Sequence, residues 1–250
     1  MDALRVGGIT AMTSIDFPGR LAAVIFCQGC PWRCGYCHNP HLLEARVPVG
    51  LPWPSVTDFL ERRRGLLDGV VFSGGEPTLQ AGLAEAMQQV RGLGFEVALH
   101  TAGMYPRRLA TLLPLVDWVG FDVKAPWSLY DTITGTPGSG RRARSSLDHL
   151  LASGVPFECR TTWHAGLFSD AELLSLGTML ADLGVHQWMV QDCRLPGQTR
   201  LHPSSLNRSA LSQRIQGLQR PGFKLRGDDA STTRVPPSIL NPSRDRSWNR

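Results

Sequence analysis

Short apolar runs rich in β-branched residues alternate along the chain with longer stretches of helical periodicity. The strand-like runs are Leu21–Phe26, Gly69–Phe72, Phe95–His100, Asp117–Asp122, Phe157–Thr162 and His186–Gln191. Helical patterns cover Ser55–Arg64, Leu79–Leu93, Pro106–Leu113, Ala143–Ala152 and Asp170–Leu183. Ser169 and Asp170 supply a start signal for the last of these, and Gly92 and Gly94 a stop signal before the third strand. This rhythm predicts an α/β fold built from βα units around a parallel sheet. Six such units do not close an eight-unit barrel. A partial (β/α)6 TIM-like barrel and an open doubly wound sheet both satisfy the count.

The chemically distinctive residues cluster where strands end. A cysteine loop follows the first strand, Gly74-Gly75-Glu76-Pro77 the second and His100-Thr101 the third. Asp122 and Lys124 follow the fourth, and Arg160 and Gln191 lie toward the ends of the fifth and sixth. Parallel α/β folds place their sites at this C-terminal edge. The glycine- and arginine-containing segment Pro137–Arg144 reads as a mobile loop. Residues 1–200 read as the barrel domain. Residues 201–250 read as a helix-like segment followed, beyond about Pro221, by a Pro/Arg/Ser-rich tail that is disordered or loosely docked.

Charge changes this picture little. The net charge is +5, but residues 220–250 hold seven basic and three acidic side chains, leaving a body of 19 basic against 18 acidic. A basic groove for nucleic acid is therefore not expected. The sequence has neither a signal-peptide pattern nor an apolar stretch long enough for a bilayer, so a cytoplasmic protein without a membrane partner is expected. Four of the six cysteines fall between positions 27 and 37, which in a reducing compartment points to metal binding or redox chemistry.

Cys30, Cys34 and Cys37 have the spacing C-x3-C-x2-C, with Tyr36 before the last. Three thiolates can hold three irons of a cubane cluster and leave the fourth iron open, whereas electron-transfer clusters normally use four cysteines. The competing reading is a structural zinc site pairing Cys27 with Cys30 and Cys34 with Cys37, although such pairs are usually further apart. Gly74 and Gly75 permit a ligand to approach backbone amides and carbonyls at a strand end; an ordinary strand-to-helix turn begun by Pro77 is the alternative. The chain has 24 arginines and two lysines, Lys124 and Lys224. A lysine kept at a strand end in such a chain suggests a need for a compact ammonium, with a simple Asp122–Lys124 salt bridge as the alternative.

Together the cysteine loop and Gly74–Pro77 resemble the radical S-adenosylmethionine superfamily. Residues Asp16–Phe26, Cys37-His38-Asn39-Pro40 and Phe72–Gln80 are similar to the activating enzymes of glycyl radical proteins, most of all that of anaerobic ribonucleoside-triphosphate reductase. Asp122–Pro126, Ile133-Thr134-Gly135 and Arg160-Thr161-Thr162 add to the likeness, while Cys27 and the chain beyond about Gly197 depart from it. The resemblance implies a [4Fe-4S] cluster on Cys30, Cys34 and Cys37 that reductively cleaves S-adenosylmethionine. It implies cofactor contacts from Tyr36, Gly74, Gly75, Glu76, Pro77, Thr101, Asp122, Lys124 and Arg160. The implied partners are a glycyl radical enzyme, with anaerobic ribonucleotide reductase foremost, and a flavodoxin- or ferredoxin-type electron donor. Radical chemistry on a small molecule or nucleoside is the second reading, and a non-catalytic metal-binding module the third.

Overall fold

A computed structural model of the chain describes residues 4–48, 50–193, 208–218 and 222–226. Eight strands form one sheet in sequential order. β1 (Val6–Thr13) runs antiparallel to β2 (Ala22–Cys27). From β2 onward every pairing is parallel, through β3 (Gly69–Gly74), β4 (Glu96–Thr101), β5 (Trp118–Asp122), β6 (Phe157–Trp163), β7 (Trp188–Asp192) and β8 (Phe223–Leu225). A doubly wound sheet reverses its strand order at a switch point. This sheet does not, so the partial barrel is the correct architecture. All six expected strands are present as β2–β7.

Side-chain alternation sorts the two faces. Val70, Phe72, Val97, Leu99, Val119 and Phe121 project into the main core and meet the helices. These are α1 (Trp53–Glu61), α2 (Leu83–Gly92), α3 (Pro106–Leu112), α4 (Tyr130–Thr134), α5 (Ser139–Ser153), α6 (Asp170–Asp182) and α7 (Arg208–Gln216). The intervening residues Ala22, Val24, Val71, Ala98 and Trp118 point to the opposite, inner face, where Phe17 from the β1–β2 connection covers them. Phe17 stacks on Trp118 at 6.1 Å. It fits because Gly69 has no side chain; a Cβ there would stand 2.8 Å from the Phe17 ring. The lower inner face is thus a sealed apolar plug, and the polar residues occupy the upper part.

Four features differ from expectation. β1, with two glycines and mixed burial, carries no clean alternation and was not anticipated. The helix expected from Leu79 begins at Leu83, because Pro77–Leu79 forms a separate 3₁₀ turn. Residues 139–144 are not a mobile loop but the opening turns of α5. Asp131, seven residues before Gly138, accepts from the Gly138 and Gly140 amides at 2.7 and 3.3 Å and from the Ser139 hydroxyl at 2.8 Å. That cap lies outside the usual N-cap position, so the local pattern did not reveal it. Phe223–Leu225, within the stretch assigned to the tail, is a strand of the same sheet, with Phe223 against Trp188 at 5.4 Å. The remainder of that tail lies outside the described residues.

Phe17→Ala should lower stability by about 3–5 kcal/mol, the range for emptying a buried aromatic site. A denaturant midpoint unchanged from the parent would show that the inner plug does not hold the sheet.

Candidate active site

The cysteine loop leaves β2 at Cys27, whose fully buried thiol belongs to the core. Burial pushes that thiol well up. A zinc set needing Cys27 as a thiolate does not fit this placement. The loop is held by its own glutamines. Gln28 donates to the carbonyls of His41 and Glu44 at 3.2 and 2.7 Å. Gln80, from the turn after Glu76, accepts from the Arg5 amide at 2.6 Å and donates to the carbonyls of Arg5 and Gln28.

Gly74 and Gly75 serve this loop first. The Gly75 amide donates to Cys27 O and the Glu76 amide to Gly29 O, each at 2.9 Å. A Cβ on Gly75 would stand 2.3 Å from the Gly29 carbonyl oxygen, and one on Gly74 would stand 2.6 Å from the Cys27 nitrogen. Gly74 also has φ 104°, a conformation that favours glycine. The amides expected to face a ligand are therefore committed to the cysteine loop. Pairing of β3 with β4 stops at Phe72 and Leu99, short of Ser73 and Gly74.

Glu76 is fully buried, and its carboxylate joins two strand ends. It accepts from Thr78 N and Oγ1 at 3.1 and 2.5 Å, from Thr101 Oγ1 at 2.6 Å and from Ala102 N at 3.0 Å. Burial raises its pKa against the pull of those bonds. Glu76 and Thr101 are thereby positioning residues between β3 and β4, with their polar atoms turned to each other. Pro77 is buried at the start of the 3₁₀ turn.

Asp122, at the end of β5, is the centre of charge. Its carboxylate meets Lys124 Nζ at 2.9 Å on one oxygen and the Arg160 guanidinium at 3.0 Å on the other. Burial would raise its pKa, but the two cations hold it well below the usual carboxylate range. Burial would likewise lower Lys124, and Asp122 with its neighbours instead holds the ammonium well above its ordinary value. Arg160 stands level with Asp122 in register, yet in the middle of β6 rather than toward its end. It can lie against β5 because residue 120 is glycine; a Cβ there would sit 2.6 Å from the guanidinium carbon.

His100 extends this layer. Its Nε2 is 2.8 Å from Asp16 O, and Ser73 Oγ is 3.4 Å from Nδ1. Both contacts are satisfied by the neutral tautomer with hydrogen on Nε2. Arg160 Nη1 is 3.1 Å from the same Nε2. Burial first, and the Arg160 charge second, push His100 down to about 3.

Aromatic side chains tie the cysteine loop to the β5 end. Trp32 meets the Tyr130 ring edge-on at 5.9 Å, and Tyr130 stacks on Trp127 at 5.4 Å. The Tyr130 hydroxyl donates to Asp122 O and accepts from the Lys124 amide. Tyr36 lies with its ring centre 6.0 Å from Lys124 Nζ. Its hydroxyl is buried without a hydrogen-bond partner, as is the indole nitrogen of Trp127. Buried polar atoms left unpaired in this way are expensive, and they mark where a bound polar group would belong.

Cys30 and Cys34 influence one another, as do Cys34 and Cys37. Among the described residues no three acidic, His or Cys side chains are gathered at metal-binding distances. Burial pushes Cys30 up to about 12 and raises Cys34, while Lys124 pulls both down. Thiols in such surroundings are poor anions until a cation compensates them, which is the service an iron cluster provides. Three soft sulfur donors, unpaired polar atoms beside them and a fixed ammonium fit a [4Fe-4S] cluster with a zwitterionic ligand. Gln28, Gln80, Gly120, Tyr130 and Trp127 were not singled out from sequence. Only the position of Gln80 within the Phe72–Gln80 motif could have signalled it.

Below about pH 6.5, the unfolded chain protonates its histidines while His100 stays neutral in the folded protein, so stability falls toward about pH 3. His100→Gln should make the pH dependence between 6.5 and 4 shallower; an unaltered slope would rule out His100 as its source. Gly120→Ala should displace the Arg160 guanidinium and weaken S-adenosylmethionine binding about tenfold, read by equilibrium titration. Unchanged binding would show that the Asp122–Arg160 pair does not matter to the ligand.

Comparison with known proteins agrees with this construction. The model of the radical SAM superfamily matches residues 24–172. MJ1227 of Methanocaldococcus jannaschii, which carries the name of a glycyl-radical enzyme activating enzyme, is 30% identical over 192 residues, 72% of this chain and 77% of its own. Pyruvate formate-lyase-activating enzyme of Clostridium pasteurianum is 34% identical over 125 residues, 48% of this chain and 52% of its own. Among solved structures, Streptococcus suis SuiB bound to S-adenosylmethionine superposes with a TM-score of 0.60 at 13% identity, covering 77% of this chain and 45% of SuiB, which is a likeness of fold. The chain belongs to the radical SAM superfamily, whose enzymes work with a [4Fe-4S] cluster and S-adenosylmethionine.

Proposed function

We propose that this protein is an activating enzyme that installs a glycyl radical on a partner enzyme, anaerobic ribonucleoside-triphosphate reductase being the partner favoured. The observation that carries the reading is the match to MJ1227, which spans 77% of that protein. The segments Asp16–Phe26, Ile133-Thr134-Gly135 and Arg160-Thr161-Thr162 support the finer choice of partner by resemblance. A flavodoxin- or ferredoxin-type protein supplies the electron. Among the described residues no helix is long and apolar enough to cross a membrane.

When bound, the cluster and S-adenosylmethionine supply reductive cleavage to a 5′-deoxyadenosyl radical, and the protein supplies position and electrostatics. In this reading Cys30, Cys34 and Cys37 hold the cluster. Tyr36, Gly74, Asp122 and Lys124 hold the ligand, with Lys124 presenting its ammonium to a carboxylate and Asp122 its carboxylate to hydroxyls. Glu76, Thr101, Gly75 and Pro77 act by fixing the β3 end against the cysteine loop and β4. Arg160 acts through Asp122, keeping that carboxylate ionised and oriented. His100 stays neutral, so hydrogen abstraction proceeds without an acid or base from that layer.

The test uses anaerobically reconstituted protein with dithionite, S-adenosylmethionine and anaerobic ribonucleotide reductase. A glycyl radical detected by electron paramagnetic resonance on the reductase, with matching 5′-deoxyadenosine, is the expected result. Cys34→Ser should abolish both while the apo-protein keeps its thermal transition. Deoxyadenosine without a radical on any glycyl radical enzyme would transfer the assignment to small-molecule chemistry.

A further inference from the structure

Four guanidinium groups stand around the cysteine loop on the C-terminal rim. Arg141 and Arg142, exposed on the first turn of α5, line a cleft of about 400 Å³ with Pro106, Pro137 and Ser145. Arg108 stands at the same mouth, its guanidinium 5.0 Å over the Tyr105 ring. The Tyr105 phenol is close enough to feel Arg108, Cys30 and Arg142 together. Arg33, inside the cysteine loop, adjoins the other flank. Its amide donates to Thr134 O at 2.9 Å, and a Cβ at Gly135 would sit 3.4 Å from its carbonyl oxygen.

These arginines are oriented by neutral acceptors. Arg33 donates to Cys30 O and Trp32 O, Arg108 to Thr78 O and Leu79 O, and Arg142 to Pro137 O. Among the described residues none of the four is in an ion pair. Asp131, the carboxylate of α4, is already committed to the α5 amides. Outside residues 220–250 the chain is close to neutral, so this is a local concentration of positive charge.

We propose that this rim is the docking surface for an acidic one-electron carrier protein, seated over the cysteine loop. The assignment rests on the cluster being held by Cys30, Cys34 and Cys37. The carrier is oxidised by one electron, the cluster is reduced by one, and no bond is made or broken. Redox encounters use small, transient interfaces, so complementary charge has to supply orientation and association rate. The rim fits that need, since its charges lie within about one Debye length, ~8 Å at physiological salt, of an approaching surface.

The experiment follows cluster bleaching in the reconstituted holoenzyme by stopped flow, with reduced flavodoxin or with photoreduced deazaflavin, a small uncharged reductant. Flavodoxin affinity is measured alongside by titration. R141E/R142E should slow reduction by flavodoxin about tenfold and weaken its binding, and high salt should slow the parent similarly. Reduction by deazaflavin should be unchanged, and R141Q/R142Q should fall between. Equal flavodoxin rates and affinity in parent and variant would overturn the proposal. So would normal flavodoxin reduction with loss of radical transfer to the glycyl radical enzyme, which would give the rim to that partner. If deazaflavin fails to reduce the parent, it is the cluster assignment that fails.

Discussion

The site depends on how closely two backbone segments approach one another. The β3 end lies so near the β2 end that the Gly75 and Glu76 amides bond the carbonyls of Cys27 and Gly29, with no space for a Cβ on either glycine. Once those bonds form, the origin of the cysteine loop is fixed relative to β3. The buried Glu76 carboxylate then carries the constraint one strand further by bonding Thr101 and the Ala102 amide. Gln80 bonds the loop from the other side through Arg5 and Gln28. A loop that must present three thiols in one orientation has little regular structure of its own, and this lattice of backbone bonds replaces it.

The inner face of the sheet has a vertical order that suits charge. Phe17 and its apolar neighbours exclude water from the lower part. Above them, Asp122 is balanced between Lys124 and Arg160, and His100 remains neutral beside the guanidinium. A buried carboxylate with one cationic partner would be left exposed to loss of that partner whenever a ligand engaged the ammonium. With Arg160 behind it, Asp122 keeps its charge while Lys124 turns to a ligand. Gly120 is part of the same device, because only an absent side chain on β5 admits the guanidinium.

Much of this was legible in sequence because parallel strands are buried on both faces and read as unbroken apolar runs. All six inner strands and the placing of Cys30, Cys34, Cys37, Gly74, Asp122 and Lys124 at strand ends came from that signal. The failures share a cause. β8 is three residues long and is held by Trp188, a contact invisible in the local pattern. α5 starts where it does because Asp131 reaches back from a preceding helix. Glu76 and Thr101 read as ligand contacts, yet their polar atoms face each other. Local periodicity reports which face is buried; it does not report which buried polar atoms have found partners.

Cations are used here in two opposed ways, and the partner atom decides which. Lys124 and Arg160 are placed against a carboxylate, so their fields cancel within a few ångströms and serve to orient a single group. Arg33, Arg108 and Arg142 are placed against carbonyl oxygens, which fix the guanidinium without neutralising it. Both arrangements satisfy hydrogen-bond donors equally well. They differ in reach: a compensated pair acts on what touches it, whereas an uncompensated guanidinium still acts on a surface about a Debye length away. A body with nearly equal numbers of acidic and basic residues can therefore carry a directed field at one rim, provided the acids are spent elsewhere. In this fold they are spent on Asp122 inside and Asp131 at the start of α5.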